Sequence, residues 1–136
     1  MRVQFDIQGG DFSAAGKASS EVKKILKELN ISPIIIRRVA VALYEAEVNV
    51  VAHAYQGKMT ADIDSNRIKV QIKDEGPGIS NISKAMEEGF STASDEVRQM
   101  GFGAGMGLPN IKRNADKMEL TSTLGVGTTL EIMVNF

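Results

Sequence analysis

Gly101, Gly103, Gly105 and Gly107 recur at every second position in "GFGAGMGLPNIKRNAD", directly before a segment with helical spacing. Glycines let backbone N–H groups approach an oxyanion closely, and a helix N-terminus adds a favourable dipole. The chemistry of such a run is anion binding, phosphate above all. Two familiar cradles do not fit. A P-loop needs Gly, four residues and Gly-Lys-Ser/Thr, whereas Lys112 comes five residues after Gly107. The Rossmann G-x-G-x-x-G pattern fails because its last position falls on Met106 or Leu108. A surface loop shares this composition, so the remaining residues must decide.

Three other stretches stand out. In "YEAEVNVVAHAY", Glu45, Asn49 and His53 are spaced by four and share one helix face. A solvated face explains such a pattern, yet Asn gains little in mid-helix unless its amide is used. "DEGPGI" delivers Asp74 and then turns tightly through Gly76, Pro77 and Gly78, all turn-forming residues. "GVGTT" at 125–129 reads by itself as a hairpin turn.

The elements that must position these residues follow from periodicity. "RVQFDIQ" alternates, with Val3, Phe5 and Ile7 on one face, as in a half-buried strand. From Asp11, a candidate N-cap, Ala15, Ala18, Val22, Ile25, Leu26 and Leu29 follow helical spacing. Ser32-Pro33 opens a second helix to about Tyr55, with a core stripe of Ile36, Val39, Leu43, Ala46 and Val50. Strands are predicted over 59–64 and 67–73 around a Ser65-Asn66 turn, with a loop at 74–80 and a short helix over 81–89. Residues 89–106 are polar and glycine-rich without clear periodicity. A helix over 108–117, with Pro109 in its first turn, and a terminal hairpin across Gly125-Val126-Gly127 close the chain. The order β-α-α-β-β-loop-α-β-β offers few helical crossovers. It predicts an α+β, two-layer sandwich whose mixed, mainly antiparallel sheet is covered on one face by helices.

The totals narrow the function classes. A chain of 136 residues is one domain by the usual length prior and can bury a real core. A net charge of −1 argues against a nucleic-acid binder working by bulk electrostatics. With no cysteine and His53 the sole histidine, thiolate and histidine-cluster metal sites are excluded. No apolar run approaches a membrane span and no signal segment opens the chain, so a cytoplasmic setting without membrane contact is expected.

In this order and spacing, the four stretches resemble the GHKL ATPase superfamily, which includes gyrase, Hsp90 and sensor histidine kinases. "EAEVNVVAHAY" looks like its N box, "DEGPGI" like its first glycine box, "GFGAGMGL" like its second and "GVGTT" like its closing element. The resemblance runs from residue 33 to the C-terminus. It implies the Bergerat ATP-binding fold over 1–136, with an ATP lid at about 80–106, and ATP and Mg²⁺ as cofactors. Stand-alone size and the Glu45–Asn49 pairing bring it nearest to the anti-sigma-factor and switch serine/threonine kinases. Carried over, Asp74 accepts the adenine amino group and Thr128 supports that contact through a water. Gly76 and Gly78 let the backbone pass the base, and Asn49 holds Mg²⁺. Gly101, Gly103, Gly105 and Gly107, with Leu108 opening the helix, wrap the phosphates. His53 lines the pocket or simply packs, and Glu45 is the catalytic base.

Many relatives carry a basic residue where this chain has Ala52, which leaves phosphate neutralisation to Mg²⁺, Lys112 or Arg113. The partners implied are a STAS-domain antagonist as substrate and a sigma factor or phosphatase beyond it, with a homodimer allowed and no nucleic acid. The alternatives are an ATP-gated, non-catalytic anti-sigma switch and a detached histidine-kinase catalytic domain. The latter is disfavoured because the only histidine already sits in the N box.

Overall fold

A computed structural model describes residues 1–79, 82, 86 and 107–136. Alternating Val3, Phe5 and Ile7 form β1 (Arg2–Gln8), followed by a 3-10 turn at Phe12–Ala14. Then come α1 (Lys17–Glu28), α2 (Pro33–His53), β2 (Gln56–Ile63), β3 (Arg67–Glu75), α3 (Gly107–Asn114), β4 (Lys117–Thr123) and β5 (Gly127–Asn135). The strand order is β1-β2-β3-β5-β4. Among the described residues all four pairings are antiparallel, so the mixed sheet that was expected contains no parallel pair there.

Period-two patterning gives the sheet one apolar face. Met59, Ala61, Ile68, Val70, Ile72, Leu130, Ile132 and Val134 are buried, while Lys69, Gln71, Lys73 and Glu131 between them are exposed. The stripe expected on α2 (Ile36, Val39, Leu43, Ala46, Val50) is buried throughout. Each buried Val, Leu, Ile or Met among them contributes about 1.5–3 kcal/mol through burial. α2 packs against both α1 and α3. No helix among the described residues is long and apolar enough to cross a membrane.

The departures from expectation lie at element ends. The first helix does not start at Asp11, whose Oδ1 accepts the Ser13 hydroxyl at 2.7 Å and caps nothing. Gly16, at φ 96°, breaks the chain and α1 begins at Lys17. α1 ends in a Schellman arrangement: Asn30 lies at φ 58°, its N–H reaches the Lys27 carbonyl, and the Ile31 N–H reaches that of Leu26. α2 opens at Pro33 behind Ser32 as expected but stops at His53, because the Tyr55 N–H turns to the Glu75 carbonyl at 2.8 Å. β2 therefore starts at Gln56, and β3 continues to Glu75 through the Gln56–Glu75 and Gly57–Asp74 pairs. Asp74 thus belongs to a paired strand and not to the loop expected from 74. α3 runs one residue earlier and ends three earlier than expected, at Asn114. The helix expected over 81–89, Ile82 and Met86 apart, and the lid expected at about 80–106 lie outside the described residues.

Candidate functional site

Strand parity aims Asp74 at the helical layer, since Ile68, Val70 and Ile72 before it are buried there. Space for it comes from Gly57 opposite. A Cβ on Gly57 would lie 2.9 Å from Val50 Cγ1 and 3.3 Å from Asp74 Cβ. The carboxylate is held from β5, where the Thr128 N–H donates to Asp74 Oδ1 at 3.0 Å. Burial pushes the Asp74 pKa above the usual carboxylate range, against the lowering effect of that N–H.

The β4–β5 hairpin closes around the turn that follows. Gly76 N–H donates to the Val126 carbonyl at 3.1 Å and Gly125 N–H to that of Pro77 at 3.0 Å. A Cβ on Gly127 would sit 2.0 Å from the Asp74 carbonyl oxygen. Gly78, at φ 77°, has the Thr123 carbonyl 2.7 Å from its would-be Cβ, and Gly76 has Ala54 Cα at 3.0 Å. Protein packing and a positive φ already demand glycine at 78, and packing leaves Gly76 little room for a side chain. Ser122, which sequence reasoning missed, bonds Thr128 Oγ1 at 2.9 Å and receives the Ile79 N–H at 2.7 Å.

The other wall is α2. Glu45, Asn49 and His53 are all half-buried along it. Burial lowers the His53 pKa, which favours the neutral ring. α3 aims its N-terminus at Asn49: a Cβ on Gly107 would lie 3.1 Å from Asn49 Oδ1 and 3.2 Å from Nδ2. Gly107 therefore brings the bare backbone of the helix N-terminus against the Asn49 amide. Leu108 is a core side chain, so its backbone alone can serve the site. Lys112 and Arg113 fall in the last turn of α3, away from Gly107, and Arg113 bonds the Asn110 side chain at 2.9 Å. Gly101, Gly103 and Gly105 lie outside the described residues.

Glu47, between Glu45 and Asn49 in sequence, was also missed. It is 2% exposed and turns away from the helix face of its neighbours into the core. Its Oε2 accepts the N–H groups of Gly16 and Ala18 at 3.0 and 3.2 Å, and its Oε1 that of Ser19 at 3.0 Å. A carboxylate from α2 thus caps α1 across the fold. No sequence signal near Lys17 announces it, because the cap is 28 or more residues away in the chain.

What the described residues can do is bind. An acceptor pair, Asp74 with Thr128, stands at one end. A hard amide oxygen beside a helix N-terminus, suited to a divalent cation and an anion, stands at the other, and a carboxylate lies one turn beyond. Among the described residues no cluster of three His, Cys, Asp or Glu could hold a metal ion.

Residues 11–134 match the histidine kinase-like ATPase domain family. The chain is 34% identical over 113 residues to the serine/threonine-protein kinase RsbT of Bacillus subtilis, covering 80% of this chain and 79% of that one. It is 35% identical over 102 residues to the anti-sigma F factor of a Thermoanaerobacter species, covering 71% and 68%. In fold it is similar to the crystal structure of the RsbU and RsbW domains of a Mycobacterium tuberculosis protein. There the TM-score is 0.66 at 14% identity, over 98% of this chain and 32% of that one.

Proposed function

The chain belongs to the histidine kinase-like ATPase domain family, and from that premise we propose that it is an ATP-dependent serine/threonine protein kinase of a partner-switching module. Its proposed substrate is a STAS-domain antagonist, and through that antagonist it controls a sigma factor or a phosphatase. The proposed setting is cytoplasmic. The observation that carries the reading is the meeting of the α3 N-terminus with Asn49, with Gly107 leaving bare the space between them. The likeness to a protein named a serine/threonine kinase supports the choice of acceptor.

In this reading the adenine lies at Asp74 and Thr128, and the phosphates lie at Gly107. Asn49 Oδ1 would be the protein ligand that holds Mg²⁺, a hard oxygen donor of the kind that ion takes. Bound there, it would supply neutralising charge to the phosphates, whereas Lys112 and Arg113 sit at the far end of α3. Glu45 accepts the proton of the acceptor hydroxyl. The hydroxyl oxygen bonds to the γ-phosphorus as the bond to the β–γ bridging oxygen breaks and ADP leaves. Burial favours the neutral His53 ring, and the His53 backbone carbonyl borders Gly76.

Incubation with γ-labelled ATP and each STAS protein encoded beside it tests the proposal. Labelled phosphoserine or phosphothreonine is expected on one of them, and no transfer to any of them refutes it. The likeness to anti-sigma F factors favours a second reading, ATP-gated capture of a sigma factor with transfer slow or lost. Capture that ignores nucleotide state refutes that one.

A further inference from the structure

Ser122 sits on β4 opposite Thr128 on β5, and the proposed reaction gives it no part. Its Oγ receives the Ile79 N–H at 2.7 Å, reaches the Gly127 carbonyl oxygen at 3.2 Å and meets Thr128 Oγ1 at 2.9 Å. A serine hydroxyl has one proton and two lone pairs. A backbone N–H only donates, so the Ile79 contact occupies a lone pair. A carbonyl only accepts, so the Gly127 contact takes the serine proton. All three contacts are hydrogen bonds together only if Thr128 donates its own hydroxyl proton to Ser122. Thr128 Oγ1 then turns nothing but lone pairs toward the site. Asp74 beside it has given Oδ1 to the Thr128 N–H and keeps Oδ2 as an acceptor.

We infer that Ser122 is a positioning residue that fixes the Thr128 hydroxyl as an acceptor, so that Asp74 and Thr128 form an acceptor-only edge selecting purines with a 6-amino group. The inference rests on the proposal that this end of the site holds the base of ATP. An amino group meets that edge with donors, whereas the 6-carbonyl of guanine meets acceptor with acceptor and leaves buried polar groups unpaired. A bridging water keeps the same polarity, donating to Thr128 and accepting from the amino group. Freed from Ser122, the Thr128 hydroxyl can rotate and donate, and the edge loses its fixed sense.

The test is equilibrium binding of the Mg²⁺ complexes of ATP and of purine riboside triphosphate, which lacks the 6-amino group. Wild type, Ser122→Ala and Ser122→Thr are compared, each first checked for a cooperative unfolding transition. Ser122→Ala is expected to shrink the preference for ATP by about fivefold, the worth of one hydrogen bond. Affinity for the analogue should change by less than about twofold, and Ser122→Thr should restore the preference. A purely structural role lowers both affinities together and leaves their ratio intact, which overturns the inference; so does a fold lost in both variants. A wild-type protein that binds ATP and analogue equally overturns it as well. One that binds neither overturns the ATP reading itself.

Discussion

Replacing Gly107 by alanine separates a site glycine from a packing glycine. The new Cβ would stand 3.1 Å from Asn49 Oδ1 and 3.2 Å from Nδ2, tighter than ordinary contact. The Asn49 side chain must therefore yield by a few tenths of an ångström. The fold should register little of this. Alanine is favoured over glycine by about 0.5–1 kcal/mol in a helix interior and by less at this first position, which offsets part of a mild contact with one movable amide. Net stability should stay within about 1 kcal/mol of wild type. Binding should register much more, because Mg²⁺ demands near-ideal geometry at about 2.0–2.1 Å and the methyl group occupies the approach to the helix N-terminus. Calorimetric titration with Mg·ATP should show the Kd raised at least about tenfold, near 1.4 kcal/mol, while the urea midpoint barely moves. Gly127→Ala is the contrast, since its Cβ would lie 2.0 Å from a backbone oxygen and unfolding should follow directly. An ATP affinity within twofold of wild type in Gly107→Ala would refute the assignment of this helix end to the phosphates.

Asp74→Asn should weaken ATP binding by at least about 100-fold, because an amide offers a donor where the 6-amino group needs an acceptor. The same change should leave stability equal or higher. Burial raises the Asp74 pKa, so the folded state holds the extra proton and stability falls as pH rises through the window just above the ordinary value of 3.8; urea melts at neutral pH check this. Burial lowers the His53 pKa, so the unfolded state binds the extra proton below pH 6.5 and stability is lost as pH falls through that value toward the folded one. His53→Gln should flatten the dependence of the urea midpoint on pH between about 7.5 and 5.5, and an unchanged slope would contradict this. Glu47→Ala should destabilise by about 3 kcal/mol by removing the charged acceptor of three N–H groups, two of them buried, with Glu47→Gln recovering part of it in chemical denaturation.

The sheet, the two long helices and their apolar stripes were legible because periodicity is local. Ile36 to Val50 on α2 and Ile68 to Ile72 on β3 read directly as buried faces. Element ends were less legible because distant partners decide them. Tyr55 leaves α2 for the Glu75 carbonyl, and Lys17 starts α1 where Glu47 can cap it. In the site, the structure places Gly107 beside Asn49 and the Thr128 N–H on Asp74. Ser122 was hidden in an ordinary polar strand, "MELTST". Its place opposite Thr128 follows only once the hairpin register about Gly125 is known. The sequence offered the base as a reason for glycine at 76 and 78; the structure adds close neighbours, Ala54 at Gly76 and Thr123 with Ser122 at Gly78.

The most direct measurement of the central claim compares wild type with Glu45→Gln in two assays on the same preparations. One assay is labelled phosphate transfer to the proposed STAS-domain substrate, and the other is Mg·ATP affinity. Glu45 lies one helical turn from Asn49 and outside the base end, so the account predicts transfer lowered by about 100-fold or more with affinity within about threefold. Transfer that survives in Glu45→Gln at the wild-type rate would contradict it.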